Sequence, residues 1–411
     1  MLDHRKLGRE LELFSSDPLV GAGLPIWLPA GAAARHAVEE FVREEERLAG
    51  YQHVYSPPVA KQEMYARSGH LAKFADDMFP PMSDGQGGHD DGASLMLRPS
   101  MCPHHAMVFA ARGRSYRDLP LRIAELGGQY RAERSGVLSG LQRVRAMHLN
   151  DAHVFCRVDQ VGAEVARVLA MINRVHPALG FAVDSYRLSL RGDSFLGSAE
   201  VWDRAEEMLR DALLEAGLPF EEAPGEAAFY GPKIDMQIRD AQDRWWSLAT
   251  IQVDFAQPER FDLAYVDSDG VKQRPVMVHR SVIGSLERLF AHLIEVHGGA
   301  FPAWYAPLQL AVLPVGAAQS GAANCFADKA LRGGLRVEVH HDGSLGSRIR
   351  EAAGRKVPYV AVIGAREADA GSVSLRLRDG RELPPRPVDS ALALIGEVVA
   401  GRSLHLLPGA E

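Results

Sequence analysis

Apolar residues recur along the chain with two periods, and the period changes near residue 300. In residues 32–49 the spacing of Val38, Phe41, Val42 and Leu48 draws one helical face, and Gly50 stands where a C-terminal cap belongs. Residues 51–55 read as a strand stopped by Pro57 and Pro58. Residues 127–156 read as an antiparallel pair: a strand ending in Tyr130, Arg131, Ala132 and Glu133, a turn rich in Gly and Ser through Leu141, and a returning strand that finishes at Asp151, Ala152 and His153. Val201, Ala205, Met208, Ala212 and Leu213 predict a second amphipathic helix, closed by Gly217. Alternation at Ile234, Met236 and Ile238, then strand-rich residues 245–255, extends the antiparallel meander. Residues 276–296 run from a strand through Gly284 and Ser285 into a helix with Leu286, Leu289, Phe290, Leu293 and Ile294 on one face.

After residues 301–307 the rhythm is different. Continuous apolar strands at 308–315, 335–339 and 358–363 alternate with helical stretches at 324–331 and 345–353, which predicts a small α/β unit on a mostly parallel sheet. The fold class expected is therefore α+β: an antiparallel sheet flanked by helices over residues 1–303, followed by an α/β domain over 304–411.

Composition narrows the class. With 411 residues, 46% hydrophobic and 24% charged, the chain is long enough for more than one core. No apolar run approaches membrane-span length, so a cytoplasmic protein is expected. Cys102, Cys156 and Cys325 are too few for a disulfide framework. The formal charge is −7, although residues 304–411 carry 13 Lys and Arg against 11 Asp and Glu. A nucleic-acid partner must therefore be met by a local patch. Residues 80–94 are turn-forming throughout, and His89, Asp90 and Asp91 there read as a solvated tip. Cys102, His104 and His105 match no zinc module by spacing, and Cys102 alone reads as a buried thiol. Arg131 with Glu133 at a strand end, and Arg143 opposite, suits a polyanion such as ATP: a guanidinium grips phosphate while a carboxylate accepts from an amino group.

The pieces together resemble a class II aminoacyl-tRNA synthetase, and within that class the threonyl enzymes. The helix, strand and Pro57 are similar to motif 1, YRAE with Arg143 to motif 2, and GSLERLF with Arg288 to motif 3. SGH at 68–70, YRDLPLR at 116–122, NDAHVFC, WDRAE, AFYGPKI and VMVHRSVIGSLER are close to threonyl-enzyme sequence, and the resemblance covers nearly the whole chain. It implies a Zn²⁺ held by Cys102, His153 and His279, with the amino and hydroxyl groups of L-threonine completing the shell. It implies further that Arg131 holds the α-phosphate of ATP, Glu133 the adenine amino group, and Arg288 stacks on adenine near the γ-phosphate. Arg143, Met147 and Gln252 would complete the ATP site, with Mg²⁺ bridging phosphates. Asp151 and Tyr230 would contact the amino acid, Lys233 would lie close by, and His70 would assist transfer to the tRNA. A homodimer, threonine tRNA as partner, and no editing in cis belong to the same expectation. The chain departs from the family's usual Gly at His104, aromatic at Met147 and Gln at Leu149, and its tail lacks an expected Asn while keeping Arg376 and Arg378. Those departures motivate an alternative, a paralogue that activates threonine or a related amino acid for a carrier protein or biosynthetic acceptor. A non-catalytic regulator is the third and least favoured reading.

Overall fold

The computed structural model describes residues 2–83 and 94–409. Its central sheet has eight strands: β1 (Gln52–His53), β2 (Leu121–Tyr130), β3 (Ala146–Cys156), β4 (Ser185–Leu190), β5 (Phe220–Pro224), β6 (Lys233–Arg239), β7 (Trp245–Asp254) and β8 (Val276–Ser281). Their order across the sheet is β1-β2-β3-β8-β7-β6-β4-β5. The six central strands pair antiparallel, and the edges β1 and β5 add in parallel. The meander read from the sequence is therefore present, with strands β2 and β3 longer than the turn residues suggested.

Side chains alternate across such a sheet. Ala152, Val154, Val278, Ile251, Val253, Ile234 and Leu188 all join one core on the back face. Helix α4 (Val161–Leu179) covers that face with Val165, Val168, Leu169, Ile172 and Val175. Neither α4 nor β4 is among the sequence expectations, although α4 has full helical spacing and ends at Gly180 in the left-handed region. Helix α5 (Ala199–Glu215) fits the expected amphipathic segment.

The helix expected at 32–49 begins three residues earlier, as α2 (Pro29–Leu48), with Pro at its first turn. The extra turn contains Gly31, where a Cβ would meet the Leu13 carbonyl oxygen at 1.9 Å, so the apolar pattern gives no sign of it. A short N-terminal helix α1 (His4–Glu10) is capped by Asp3, α3 (Cys102–Ala110) packs with Ile123, Phe155 and Met277 of the sheet, and α6 (Leu286–His297) joins the back-face core.

The second sheet has five strands: β9 (Leu310–Pro314), β10 (Val337–Val339), β11 (Tyr359–Ile363), β12 (Ser372–Leu377) and β13 (Glu382–Pro387). Their order is β10-β9-β11-β12-β13, parallel over the first three and antiparallel over the rest. The expectation of a mostly parallel sheet holds for only half of it. β13 lies at an edge and contains three prolines, which an edge strand tolerates.

Between the sheets Ala303 packs in the second core while Trp304 and Tyr305 pack in the first. Among the described residues, no helix is long and apolar enough to cross a membrane.

Candidate active site

The register of the central sheet gathers residues that are far apart in sequence. On β3, Met147, Leu149, Asp151 and His153 share the front face. His279 lies directly across from His153, Gln252 across from His279, and Lys233 across from Gln252. Six of the candidate residues are thus set on one face by strand pairing alone.

At one end of this face sits a thiol–imidazole cluster. The Sγ of Cys102 and ring nitrogens of His153 and His279 lie within 4.8 Å of one another, and all three residues are buried. His153 Nε2 is 2.9 Å from His279 Nδ1. The outer nitrogens point to acidic partners: His279 Nε2 lies 2.8 Å from Asp254 Oδ2, and His153 Nδ1 lies 2.7 Å from His105 Nδ1, whose own Nε2 is 3.2 Å from Glu125. When Asp254 and Glu125 each accept an N–H, the inner nitrogens of His153 and His279 face each other as two lone pairs. That arrangement suits a bound cation, and outer-sphere carboxylates of this kind orient zinc-binding imidazoles. One thiolate and two imidazoles leave a coordination position open, so the donor set fits Zn²⁺.

The electrostatics agree. Burial pushes the Cys102 thiol well up and His153 well down, so each stays uncharged without a cation beside it. Burial alone raises Glu125, but hydrogen bonds from His105 and Ser56 and the Arg98 charge outweigh it and hold the carboxyl down to about 2. Asp151 is raised by burial; its Oδ1 is 3.9 Å from His153 Nε2 and its Oδ2 accepts from Gln129 at 3.3 Å. The Tyr230 ring stands 5.2 Å from that of His279. His70 is tied to the cluster through Ser100, whose Oγ lies 3.0 Å from both His70 Nε2 and Cys102 Sγ. Burial first, then the nearby positive charge of Arg131, lowers His70 to about 4, so it is neutral at physiological pH.

At the other end, guanidinium groups accumulate. Arg288, near the start of α6, donates to the carbonyls of Gln142 and Ser247 at 3.2 and 2.8 Å and lies over the Trp246 ring at 5.4 Å. Burial and the charges of Arg131 and Arg143 lower it to about 10. Arg131 lies over Phe74 at 5.6 Å, and its Nε reaches the Pro99 carbonyl at 3.5 Å. Among the described residues neither Arg131 nor Arg288 has a carboxylate at ion-pair distance; Arg143 alone is paired, with Glu133 at 2.8 Å. Such a surplus of partly exposed positive charge suits a polyphosphate.

Two candidates are engaged elsewhere. Lys233 Nζ is 2.5 Å from Asp235, and the Gln252 amide donates to the Gly231 carbonyl at 2.8 Å. Arg376 pairs with Glu382 at 2.9 Å and Arg378 donates to the carbonyls of Phe301 and Lys356, which makes Arg378 a strut between the sheets. Residues 84–93, with His89, Asp90 and Asp91, lie outside the described residues. The residues that sequence reasoning missed are Asp254, Glu125 and Ser100. Asp254 had a signal, two positions beyond Gln252 on a strand; Glu125 had one too, a lone acid inside an apolar strand.

Comparison with known proteins places this architecture. Residues 86–297 match the tRNA synthetase class II core domain (G, H, P, S and T), and residues 309–397 match the anticodon binding domain. The chain belongs to the class II aminoacyl-tRNA synthetases. Within them it falls in the threonyl-tRNA synthetase family: it is 46% identical over 404 residues to the threonine–tRNA ligase of Listeria monocytogenes, covering 97% of this chain and 62% of that protein. It is 47% identical over 380 residues to that of Staphylococcus carnosus, covering 91% and 58%. The solved RNA binding domain of threonyl-tRNA synthetase from Cryptosporidium parvum superposes with a TM-score of 0.91 at 34% identity, covering 98% of this chain and 99% of that one. The chain spans about three-fifths of the length of the curated relatives it matches.

Proposed function

We propose that the chain activates L-threonine with ATP and transfers the threonyl group to the 3′ end of threonine tRNA, acting in the cytoplasm as a homodimer. The observation that carries this is the placement of the Cys102, His153 and His279 cluster and the Arg131, Arg143 and Arg288 group at two ends of one sheet face. Bound Zn²⁺ would serve as a Lewis acid that recognises the amino and hydroxyl groups of threonine. That polar contact is absent for valine, and a site built around such a contact rejects the analogue lacking it.

The threonine carboxylate attacks the α-phosphorus of ATP, the bond to the β-phosphate oxygen breaks, and pyrophosphate leaves with the electron pair. Arg131 and Arg288 neutralise charge that builds on the phosphate oxygens, with Mg²⁺ accompanying the triphosphate. Glu133 accepts from the adenine amino group once Arg143 turns to phosphate, and Met147 covers the purine face. Asp151 and Tyr230 hold the amino acid. Neutral His70, between Arg131 and the thiol–imidazole cluster, assists attack of the ribose hydroxyl on the adenylate carbonyl. No protein nucleophile is needed, so positioning and charge stabilisation carry the rate. For the dimer, Leu48 at the end of α2 and Tyr55 just beyond the edge strand β1 are exposed at 64% and 83%. For the anticodon arm, the domain matched over 309–397 is the expected reader.

Leu149 favours a second reading, in which the acceptor is a carrier protein, because an apolar side chain occupies the strand position next to Asp151 on the substrate face. Charging of a threonine tRNA transcript with labelled threonine and ATP separates the two. Aminoacylated tRNA is expected; threonine-dependent ATP turnover with label on a carrier thiol and none on tRNA would replace the proposal with the second reading.

A further inference from the structure

The guanidinium end of the site is braced from the N-terminus. His4, the first residue of α1, is 2% exposed. Its Nδ1 lies 2.7 Å from Glu295 Oε1 on α6, and the backbone N–H of Leu141 donates to its Nε2 at 3.2 Å. Because the Leu141 N–H can only donate, Nε2 is the bare nitrogen and Nδ1 carries the proton given to Glu295. The other Glu295 oxygen accepts from the Ala241 N–H at 3.0 Å, so the carboxylate is fixed on both sides.

The next residue, Gln142, is what this bond holds in place. Its carbonyl accepts from Arg288 Nε at 3.2 Å, its side-chain amide donates to Asp240 at 3.3 Å, and its amide oxygen accepts from Arg244 at 3.1 Å. Asp240 also accepts from the Trp246 indole at 2.9 Å, the ring beneath Arg288. Arg143 follows in sequence and pairs with Glu133. On the other side, Gly140 has φ +49°, and a Cβ there would stand 2.3 Å from His4 Nε2, so only glycine lets the loop reach the imidazole.

We infer that His4 is a positioning residue for the nucleotide site: by holding the Leu141 N–H it sets the Gln142 carbonyl that aims Arg288 and the loop that presents Arg143. This rests on the synthetase reading of the site. His4 touches neither candidate substrate atoms nor the thiol–imidazole cluster, so its effect is confined to ATP.

The test uses the full chain with His4→Ala, His4→Asn and His4→Gln. Asn places an amide near the Nδ1 position and keeps only the Glu295 bond, whereas Gln reaches the Nε2 position and offers its oxygen to Leu141. In threonine-dependent ATP–pyrophosphate exchange, the KM for ATP is expected to rise roughly three- to tenfold for Asn, as befits one lost buried hydrogen bond, at least as much for Ala, which loses both, and to return toward wild type for Gln. The KM for threonine stays constant throughout. A merely structural role lowers the active fraction and moves kcat alone. Unchanged KM for ATP in the Asn variant, or equal rises for ATP and threonine, overturns the inference. Equilibrium ATP binding followed by tryptophan fluorescence makes the same comparison without turnover: weaker binding by Ala and Asn than by wild type and Gln supports the role even if threonine is the wrong amino acid, and equal binding overturns it. Absence of ATP binding by the wild type removes the synthetase reading and the inference with it.

Discussion

Arg280 and Arg288 stand eight residues apart, the first fully buried and the second half-buried, and their surroundings are opposite. Arg280 points to the back of the sheet, where it meets Glu46 at 2.7 Å, donates to Asn150 at 3.0 Å and lies over Tyr51 at 4.2 Å. Burial alone lowers its pKa, but Glu46 more than offsets this and the net shift is upward. Arg288 donates to carbonyls and has no carboxylate at ion-pair distance among the described residues; burial and the charges of Arg131 and Arg143 outweigh the more distant Glu133 and lower it to about 10. The first charge is neutralised inside the fold and ties α2 to β3 and β8. The second meets no carboxylate at ion-pair distance among the described residues, which under the proposed function leaves it for the phosphates of ATP. Arginines that look equal in sequence are thus sorted by whether a carboxylate meets them.

Breaking the satisfied pair carries the largest expected cost. Arg280→Met strands Glu46 in the core and is expected to lower stability by about 3–5 kcal/mol, with Arg280→Met plus Glu46→Gln recovering part of it. Chemical denaturation checks both, and a mild single variant would erase the contrast. Arg288→Ala is expected to do the reverse: a fall in exchange rate of about 10²–10³, with a melting temperature near wild type or above it. Comparable loss of stability in Arg288→Ala would show that its charge is structural after all.

The thiol–imidazole end offers a similar contrast between ligand and support. If the cluster holds zinc as proposed, Cys102→Ser is expected to abolish zinc binding measured by elemental analysis, whereas Asp254→Asn is expected to retain a site weakened roughly 10–100-fold, seen by chelator competition. Zinc content unaffected by Cys102→Ser would remove that residue from the site.

The smallest effect comes from acid. His176 donates to the Val282 carbonyl at 2.7 Å deep in the back core, and burial lowers it from 6.5 to about 4. The unfolded chain therefore takes up a proton first as pH falls. Stability is complete above pH 6.5 and declines toward pH 4, by about 1.5 kcal/mol between pH 6.5 and 5 for this one group. Denaturation across that range should show the slope, and His176→Gln should flatten it by one group's share; an unchanged slope would mean that His176 is protonated in the fold.

How much of this was legible follows from the same contrast. Local signals were plain: Arg131 and Glu133 at a strand end, Arg288 after a Gly284 and Ser285 turn, and the apolar face of α6. The resemblance supplied Cys102, His153 and His279 as a set, which no spacing rule yields because β3 meets β8 only through strand register. Asp254 and Glu125 each carried a weak signal, but their partners His279 and His105, like the partners of His4, are remote in sequence and gave no sign of the pairing. Helix α4 carried a readable period, while β5, with the sequence FEEAP, gives no alternation because it is a half-exposed edge. Strands β12 and β13 turn the second sheet antiparallel, and prolines at 384, 385 and 387 concealed one of them.

The central claim is that one sheet face binds a hydroxylated amino acid at its thiol–imidazole end and ATP at its guanidinium end. The measurement that tests it most directly is ATP–pyrophosphate exchange by the zinc-loaded chain with threonine, serine, valine and leucine as separate substrates. Exchange driven strongly by threonine, weakly by serine and negligibly by valine and leucine is the result this account requires. Exchange driven as well by valine or leucine as by threonine would contradict it, and so would no exchange at all.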